Sequence, residues 1–277
     1  MNTGTLWIVP TPVGNLADIT LRALDVLRGC AVIACEDTRT SAVLLRHHGI
    51  GTPMLSYHKF NERQRAAQLL GRLQKGEDVA VVSDAGTPGI SDPAAILVRE
   101  ALDAGITVCA LPGATAFVPA LAAGGLPTER FYFAGFPPGK AGERAALLDR
   151  LAPLPDTLVF YEAPHRLRAF LRELQEHLGN RRACLARELS KMFESYHRGL
   201  LSELLAEDGP VVWKGEFVVL VEGAPATAMD DATLIALLGE RLATGNSQKD
   251  AVAAVCAATG APRNRVYALV LALRGTT

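Results

Sequence analysis

Three features of this 277-residue sequence predict an α/β architecture built on parallel strands. Short unbroken apolar runs recur, Val79-Ala80-Val81-Val82 foremost, as expected of strands buried on both faces. Loops rich in glycine, proline and small residues follow them, and segments with helical apolar spacing come next. Near the end this alternation stops, and helical patterns without strands take over. Two α/β units and a small helical module are therefore expected.

Thr5 to Val9 reads as the first strand, opening into Pro10-Thr11-Pro12-Val13-Gly14-Asn15. Thr20 then caps a helix carrying Leu21, Leu24 and Leu27, closed by Gly29. Cys30 to Cys35 is a second strand, ending in Glu36-Asp37-Thr38-Arg39. Asn61 with Gln64 three residues on predicts a capping box for a helix that stops at Gly76. The Val79 strand enters Ser83-Asp84-Ala85-Gly86-Thr87-Pro88-Gly89, where small residues let a ligand lie against backbone. Such a loop, at the carboxyl end of a parallel strand, is where open α/β sheets bind ligands. Asp92 and Pro93 then read as N-cap and first helical position. Ile106 to Leu111 is another strand, running into Pro112-Gly113-Ala114-Thr115-Ala116.

The rhythm breaks near Leu126. Strands are expected at Phe131–Phe136, Thr157–Tyr161, Ala183–Arg187 and Phe217–Val221, with helices at Arg166–Leu178 and Leu200–Leu205. Gly223 to Thr227 reads as a linker. Thr233–Leu242, Gln248–Thr259 and Arg263–Arg274 read as helices, the last two joined by Gly260-Ala261-Pro262 in a helix-turn-helix manner. The expected domains are 1–125, 126–224 and 230–277.

Composition narrows the function. Net charge is −1, so the whole molecule is not an electrostatic nucleic-acid binder, and any RNA contact must come from local basic patches. No apolar run approaches membrane-spanning length, no secretory signal is evident, and five cysteines without a CxxC pair fit a reducing cytoplasm. No GxGxxG follows a strand, the Gly135–Lys140 stretch is one residue short of a phosphate loop, and Gly89 to Pro93 lacks the second glycine of a nucleophile elbow. His47-His48 has no companion ligands, so no metal site is expected.

Three loops after strands remain: VPTPVGN, SDAGTPGISDP and LPGATA. In order and spacing they resemble the tetrapyrrole methylase superfamily. Within it, Glu36 to Arg39, Ser83 to Pro93, Phe160 to Leu167 and Arg187 to Lys191 are similar to a branch that 2'-O-methylates a cytidine in the decoding region of 16S ribosomal RNA. The resemblance covers essentially the whole chain. It implies S-adenosylmethionine in the cleft between two α/β domains, a homodimer, and 16S rRNA in the small ribosomal subunit as partner, all in the cytoplasm. It also implies that Pro12, Val13, Gly14, Ala85, Gly86, Thr87, Ile90, Thr115, Ala116, Tyr161, Glu162 and Leu189 surround the cofactor. Pro10 and Pro12 stand where many members have glycine, so the first loop is expected to shape the floor of the cleft.

Methyl transfer to a ribose hydroxyl benefits from positioning and from a general base. Asp84, Glu36, Asp37, Glu162, Glu188 and His165 are candidate bases, as is Lys191 if its pKa is lowered. The residues do not choose among them. Lys191 and Glu188 are preferred near the hydroxyl, and Asp84 for placing the cofactor loop. RNA contact is expected from Arg39, Arg46 and Lys59 in the first domain and from Arg166, Arg168, Arg187, Lys191 and Arg198 in the second. Tyr57, Phe60 and Tyr161 are candidate stacking platforms. Two other readings stay open: a corrinoid or porphyrin methylase of the same superfamily, and a non-enzymatic RNA-binding protein.

Overall fold

The computed structural model describes residues 3–209, 211–225, 230–259, 261 and 263–274. It divides into two compact units, residues 1–223 and 224–277.

The first half of the larger unit runs β1 (Thr5–Ile8), α1 (Leu21–Gly29), β2 (Val32–Cys35), α2 (Thr38–His47), β3 (Met54–Ser56), α3 (Glu62–Gln74), β4 (Val79–Val82), α4 (Ala95–Asp103), β5 (Thr107–Ala110) and α5 (Phe117–Gly124). Its five strands are all parallel, in the order β3-β2-β4-β1-β5. Alternate residues feed two cores. Leu6, Ile8, Val79 and Val81 meet Leu69, Leu73 and Leu97, whereas Ile33, Cys35, Ala80 and Val82 meet Leu24 and Leu27. Because β4, β1 and β5 are neighbours, the three loops singled out above leave the same end of the sheet side by side.

The second half runs β6 (Phe131–Gly135), α6 (Ala141–Leu151), β7 (Thr157–Glu162), α7 (Pro164–Leu178), β8 (Arg182–Arg187), β9 (Ser195–Leu200), α8 (Leu201–Leu204) and β10 (Phe217–Val221). This sheet is mixed, in the order β6-β7-β10-β8-β9, with only β6 and β7 parallel. Leu158, Phe160, Leu185 and Val219 pack under Phe170, Leu171 and Leu174 of α7. The opposite face, with Cys184, Val218 and Leu220, is covered by Ala120 and Leu121 of α5. A Cβ on Gly124 would lie 2.3 Å from Leu220 Cδ1, so glycine is what lets α5 sit this close to the sheet. Through α5 the chain of the first sheet closes the core of the second.

The small unit holds α9 (Asp231–Ala243), α10 (Gln248–Thr259) and α11 (Arg263–Arg274) around a core of Leu234, Leu238, Val252, Val255, Val266 and Val270. Asp230 caps α9 by accepting from Thr233 N at 2.7 Å. Arg265 pairs with Asp231 at 2.8 Å. Ala226 and Thr227 of the expected linker, and Gly260 and Pro262 of the expected turn, lie outside the described residues.

Two expected helix starts are corrected. Asn61 makes no capping bond to α3; its side chain accepts from His58 N at 2.9 Å and donates to Ser56 O, pinning the preceding loop instead. Asp92 is not an N-cap, since α4 begins at Ala95, with Ala94 before it, after Ser91 turns the chain at φ 68°. Strand β9 was not foreseen: Ser195 to Leu200 carries no apolar run because it is a half-buried edge strand.

Phe160 is fully buried, with its ring edge-on to Phe170 at 5.2 Å between centroids. Phe160→Ala is expected to cost about 3–5 kcal/mol in urea denaturation of the full chain; a loss under about 1 kcal/mol would mean that the site collapses around the smaller residue.

Candidate active site

The three loops are tied to one another by backbone and hydroxyl bonds. Thr11 and Gly86 exchange reciprocal N–H···O=C bonds, both 2.8 Å, which join the first loop to the second. The Thr11 hydroxyl donates to Ser83 O at 3.0 Å, and the Thr87 hydroxyl donates to Ala114 O at 2.9 Å, joining the second loop to the third. Gly86 adopts φ 84°, a conformation that disfavours any side chain. Pro10 packs on Gly113, where an added Cβ would meet its ring at 2.7 Å.

Facing these loops, the second sheet contributes the ends of β7, β8 and β10, brought together because Phe217 pairs with both Glu162 and Arg187. Between them lies a cavity of about 450 Å³, within the range of about 300–1,000 Å³ usual for small-molecule sites. Its wall includes Val13, Ala85, Gly86, Thr87, Ile90, Thr115, Ala116, Tyr161, Glu162 and Leu189, all foreseen from the sequence. Pro12 and Gly14 are not in it. A Cβ on Gly14 would stand 2.5 Å from Lys191 Cγ and 2.9 Å from Leu189 O, so this glycine permits close packing of the first loop against the loop after β8. Phe136, Ala186, Phe217 and Val218 also line the cavity, and no sequence motif pointed to them. Phe136 leans on Tyr161 with centroids 5.4 Å apart.

Glu162 is 3% exposed. Its Oε1 accepts from Ala163 N at 2.8 Å, whereas Oε2 is buried, has no hydrogen-bond partner and lies 3.4 Å from Arg166. Burial raises its pKa, against the Ala163 N–H and the Arg166 and Arg144 charges. Glu36, Asp84 and Asp92 also line the cavity. Burial raises all three, and mutual repulsion adds to it: Asp92 and Asp84 act on Glu36, Asp37 on Asp84, and Asp84 on Asp92. Asp84 Oδ1 accepts from Asp37 N at 3.1 Å, which ties the loop after β2 to the second loop.

The preferred pair, Lys191 and Glu188, is engaged within the chain. Lys191 Nζ donates to Glu188 Oε1 at 3.1 Å and to Glu216 Oε2 at 3.0 Å. These two carboxylates outweigh burial and raise the lysine, which stays charged. Glu188 is lowered, chiefly by its bond from Glu216 N and then by Lys191. The pair clasps the loop after β8, and neither shift favours it as a proton acceptor.

The expected RNA-contacting cations separate into two groups. Arg46 and Lys59 are exposed, and Arg39 is exposed while bonded to Asp37, which it holds down to about 2. The others are bonded or stacked within the chain, Arg198 while still exposed. Arg166 donates to the Pro137 and Pro138 carbonyls, Arg168 lies over Trp213, Arg187 donates to the Lys214 and Phe193 carbonyls, and Arg198 donates to the Ala123 and Gly124 carbonyls. Among the candidate platforms Tyr57 is 1% exposed, Tyr161 belongs to the cavity and Phe60 is 92% exposed.

Among the described residues no helix is long and apolar enough to cross a membrane, and no group of His, Cys, Asp or Glu is placed to hold a metal ion. A family model described as tetrapyrrole (corrin/porphyrin) methylases matches residues 5–205, and one described as the RsmI C-terminal HTH domain matches residues 228–274. The ribosomal RNA small subunit methyltransferase I of Pseudomonas aeruginosa is 46% identical, covering 99% of both chains. That of Micromonospora olivasterospora is 47% identical over 95% of this chain and 85% of its own. Among solved structures, uroporphyrin-III-C-methyltransferase from Thermus thermophilus is 23% identical, with a TM-score of 0.55 over 78% of this chain and 94% of its own; that likeness is one of fold. By the matched models and by near-full-length identity, the chain belongs to the tetrapyrrole methylases and, within them, to the ribosomal RNA small subunit methyltransferase I family.

Proposed function

We propose that this protein transfers a methyl group from S-adenosylmethionine to the 2'-hydroxyl of a cytidine in 16S ribosomal RNA. The substrate is presented in the small ribosomal subunit, and the protein acts as a homodimer in the cytoplasm. The observation that carries this reading is the 46% identity to a ribosomal RNA small subunit methyltransferase I along 99% of both chains. It takes in the C-terminal helices as well as the cavity.

The cavity suits the cofactor on two counts. Gly86 at φ 84° offers bare backbone to a ligand, and Glu162 Oε2, buried beside Arg166 at 3.4 Å but without a hydrogen-bond partner, has room to accept one. S-adenosylmethionine supplies, when bound, an electrophilic methyl on a sulfonium. The Thr11–Gly86 and Thr87–Ala114 ties hold the cavity wall in place before binding, so less ordering is left for the reactive complex. Glu36 has no hydrogen-bond partner among the described residues and faces the cavity, and burial beside Asp92 and Asp84 raises its pKa. It is the group we assign to accept the hydroxyl proton. Asp84 holds the second loop to Asp37, and Lys191 with Glu188 holds the loop that carries Leu189. Arg46 and Lys59 remain for phosphates, and Phe60 for a base.

A porphyrinoid substrate fits less well. Such macrocycles carry carboxylates, and the cavity already gathers Glu36, Asp84, Asp92, Glu162 and Glu216. Like charges brought together there repel.

Purified protein, labelled S-adenosylmethionine and small subunits from cells lacking this gene are expected to yield alkali-resistant 2'-O-methylcytidine. Gly86→Arg, which drives a long side chain into the cavity, is expected to abolish both labelling and cofactor binding. Cofactor binding without any label in RNA would sink the ribosomal reading and bring the small-molecule methylase forward. Glu36 acts only when deprotonated, so kcat/KM is expected to fall as pH drops through a value above the ordinary glutamate pKa of about 4.3. Glu36→Gln is expected to lower kcat about 10²–10⁴-fold and to remove that acid limb from the pH profile. An unchanged limb in the variant assigns the proton to another group.

A further inference from the structure

Leu189 lines the cavity and opens a loop that ends at Glu194. Two non-glycine residues at the start of this loop have positive φ, Glu188 just before it at 50° and Ser190 within it at 65°. Such conformations persist only where the surroundings enforce them, and they cluster at functional sites. Here the enforcement is explicit. The Ser190 hydroxyl donates to Asp18, Ser190 N donates to Glu194 Oε2 at 2.6 Å, and Arg187 donates to Phe193 O at 3.0 Å. Lys191 binds Glu188 and Glu216. At the tip of this pinned loop Met192 and Phe193 are 91% and 65% exposed.

We propose that Phe193, with Met192 beside it, is the platform on which an unpaired base of the RNA substrate stacks while the neighbouring ribose enters the cavity. The inference rests on the ribosomal RNA reading above. Continuity with the cavity favours a nucleotide, since Phe193 O accepts from Arg187, whose strand partner Phe217 lines the cavity. Local charge favours a base over a phosphate. Arg187, Lys191 and Lys214 are offset by Glu188, Glu194 and Glu216, so the loop offers a ring face and a thioether rather than a positive field. Area argues against a second copy of the chain. Two side chains fall far short of the roughly 800 Å² per partner of a stable protein interface, whereas one base is covered by a single ring.

Steady-state methylation by full-length protein, with unmethylated small subunits and labelled S-adenosylmethionine, tests the platform. Phe193→Ala is expected to raise KM for subunits about 5- to 150-fold, the range for losing an aromatic platform under a base, while calorimetric affinity for S-adenosylmethionine and the thermal midpoint stay unchanged. Phe193→Trp is expected to stay within about 2-fold of wild type, because a larger ring still stacks. An unchanged KM in Phe193→Ala overturns the proposal. So does an equal loss in the Trp variant, or a smaller species of Phe193→Ala in sedimentation, which assigns the pair to a contact between copies. If wild type leaves the RNA unlabelled, the underlying reading and the platform fall together. Label in wild type with no effect of Phe193→Ala sinks the platform alone.

Discussion

The cavity depends on the reciprocal pair of backbone bonds between Thr11 and Gly86. β4 lies next to β1, and β1 next to β5, so their three loops leave the sheet together. Adjacency alone would leave those loops free, at a cost of about 1–2 kcal/mol of backbone entropy for every residue that a ligand must later order. The Thr11–Gly86 pair adds one antiparallel rung beyond the parallel sheet, and Gly86 can make it only because glycine tolerates φ 84°. Thr87 then carries the tie on to Ala114. Each bond contributes only about 0.5–1.5 kcal/mol net, but together they set the wall's shape before anything binds.

The carboxylates around this frame fall into two classes. Glu188 is bonded by Glu216 N and Lys191, is held low and stays ionised. It shapes a loop and has little tendency to take up a proton. Glu36, Asp84, Asp92 and Glu162 are pushed the other way by burial, and each repulsive neighbour makes a proton, or a cation, more welcome. Such a group of acids suits a ligand bearing positive charge. The difference between the classes is set by partners and not by residue type, so sequence motifs cannot separate them.

That is also where the sequence stops being informative. The strands at Val79–Val82 and Phe217–Val221 are legible because both faces are buried, which demands uninterrupted apolar residues. The loops around the cavity are legible through glycine and through the spacing of whole motifs. Ten of the twelve residues expected around the cofactor line the cavity, each lying in a loop or strand end that a motif marks. Phe136, Ala186 and Val218 escaped notice because they reach the cavity through strand register alone. The pairing of Lys191 was hidden for the opposite reason: its motif was visible, but Glu216, which helps hold it charged, lies 25 residues further on. The arginines of the second sheet show the same limit. Their sequence neighbours suggest a basic surface, whereas Arg166, Arg187 and Arg198 are used on carbonyls that only the fold brings near.

With those arginines engaged and a net charge of −1, the chain lacks the broad positive field on which non-specific RNA binders rely. On the proposed reading this is an advantage. A wall lined with Glu36, Asp84, Asp92 and Glu162 attracts a sulfonium and repels phosphates, so a nucleotide can approach it only by a neutral edge. The ribose hydroxyl is such an edge. Phosphates are left to the exposed cations Arg46 and Lys59, and bases to exposed rings. One charge distribution thus retains the methyl donor and selects which part of the RNA meets it.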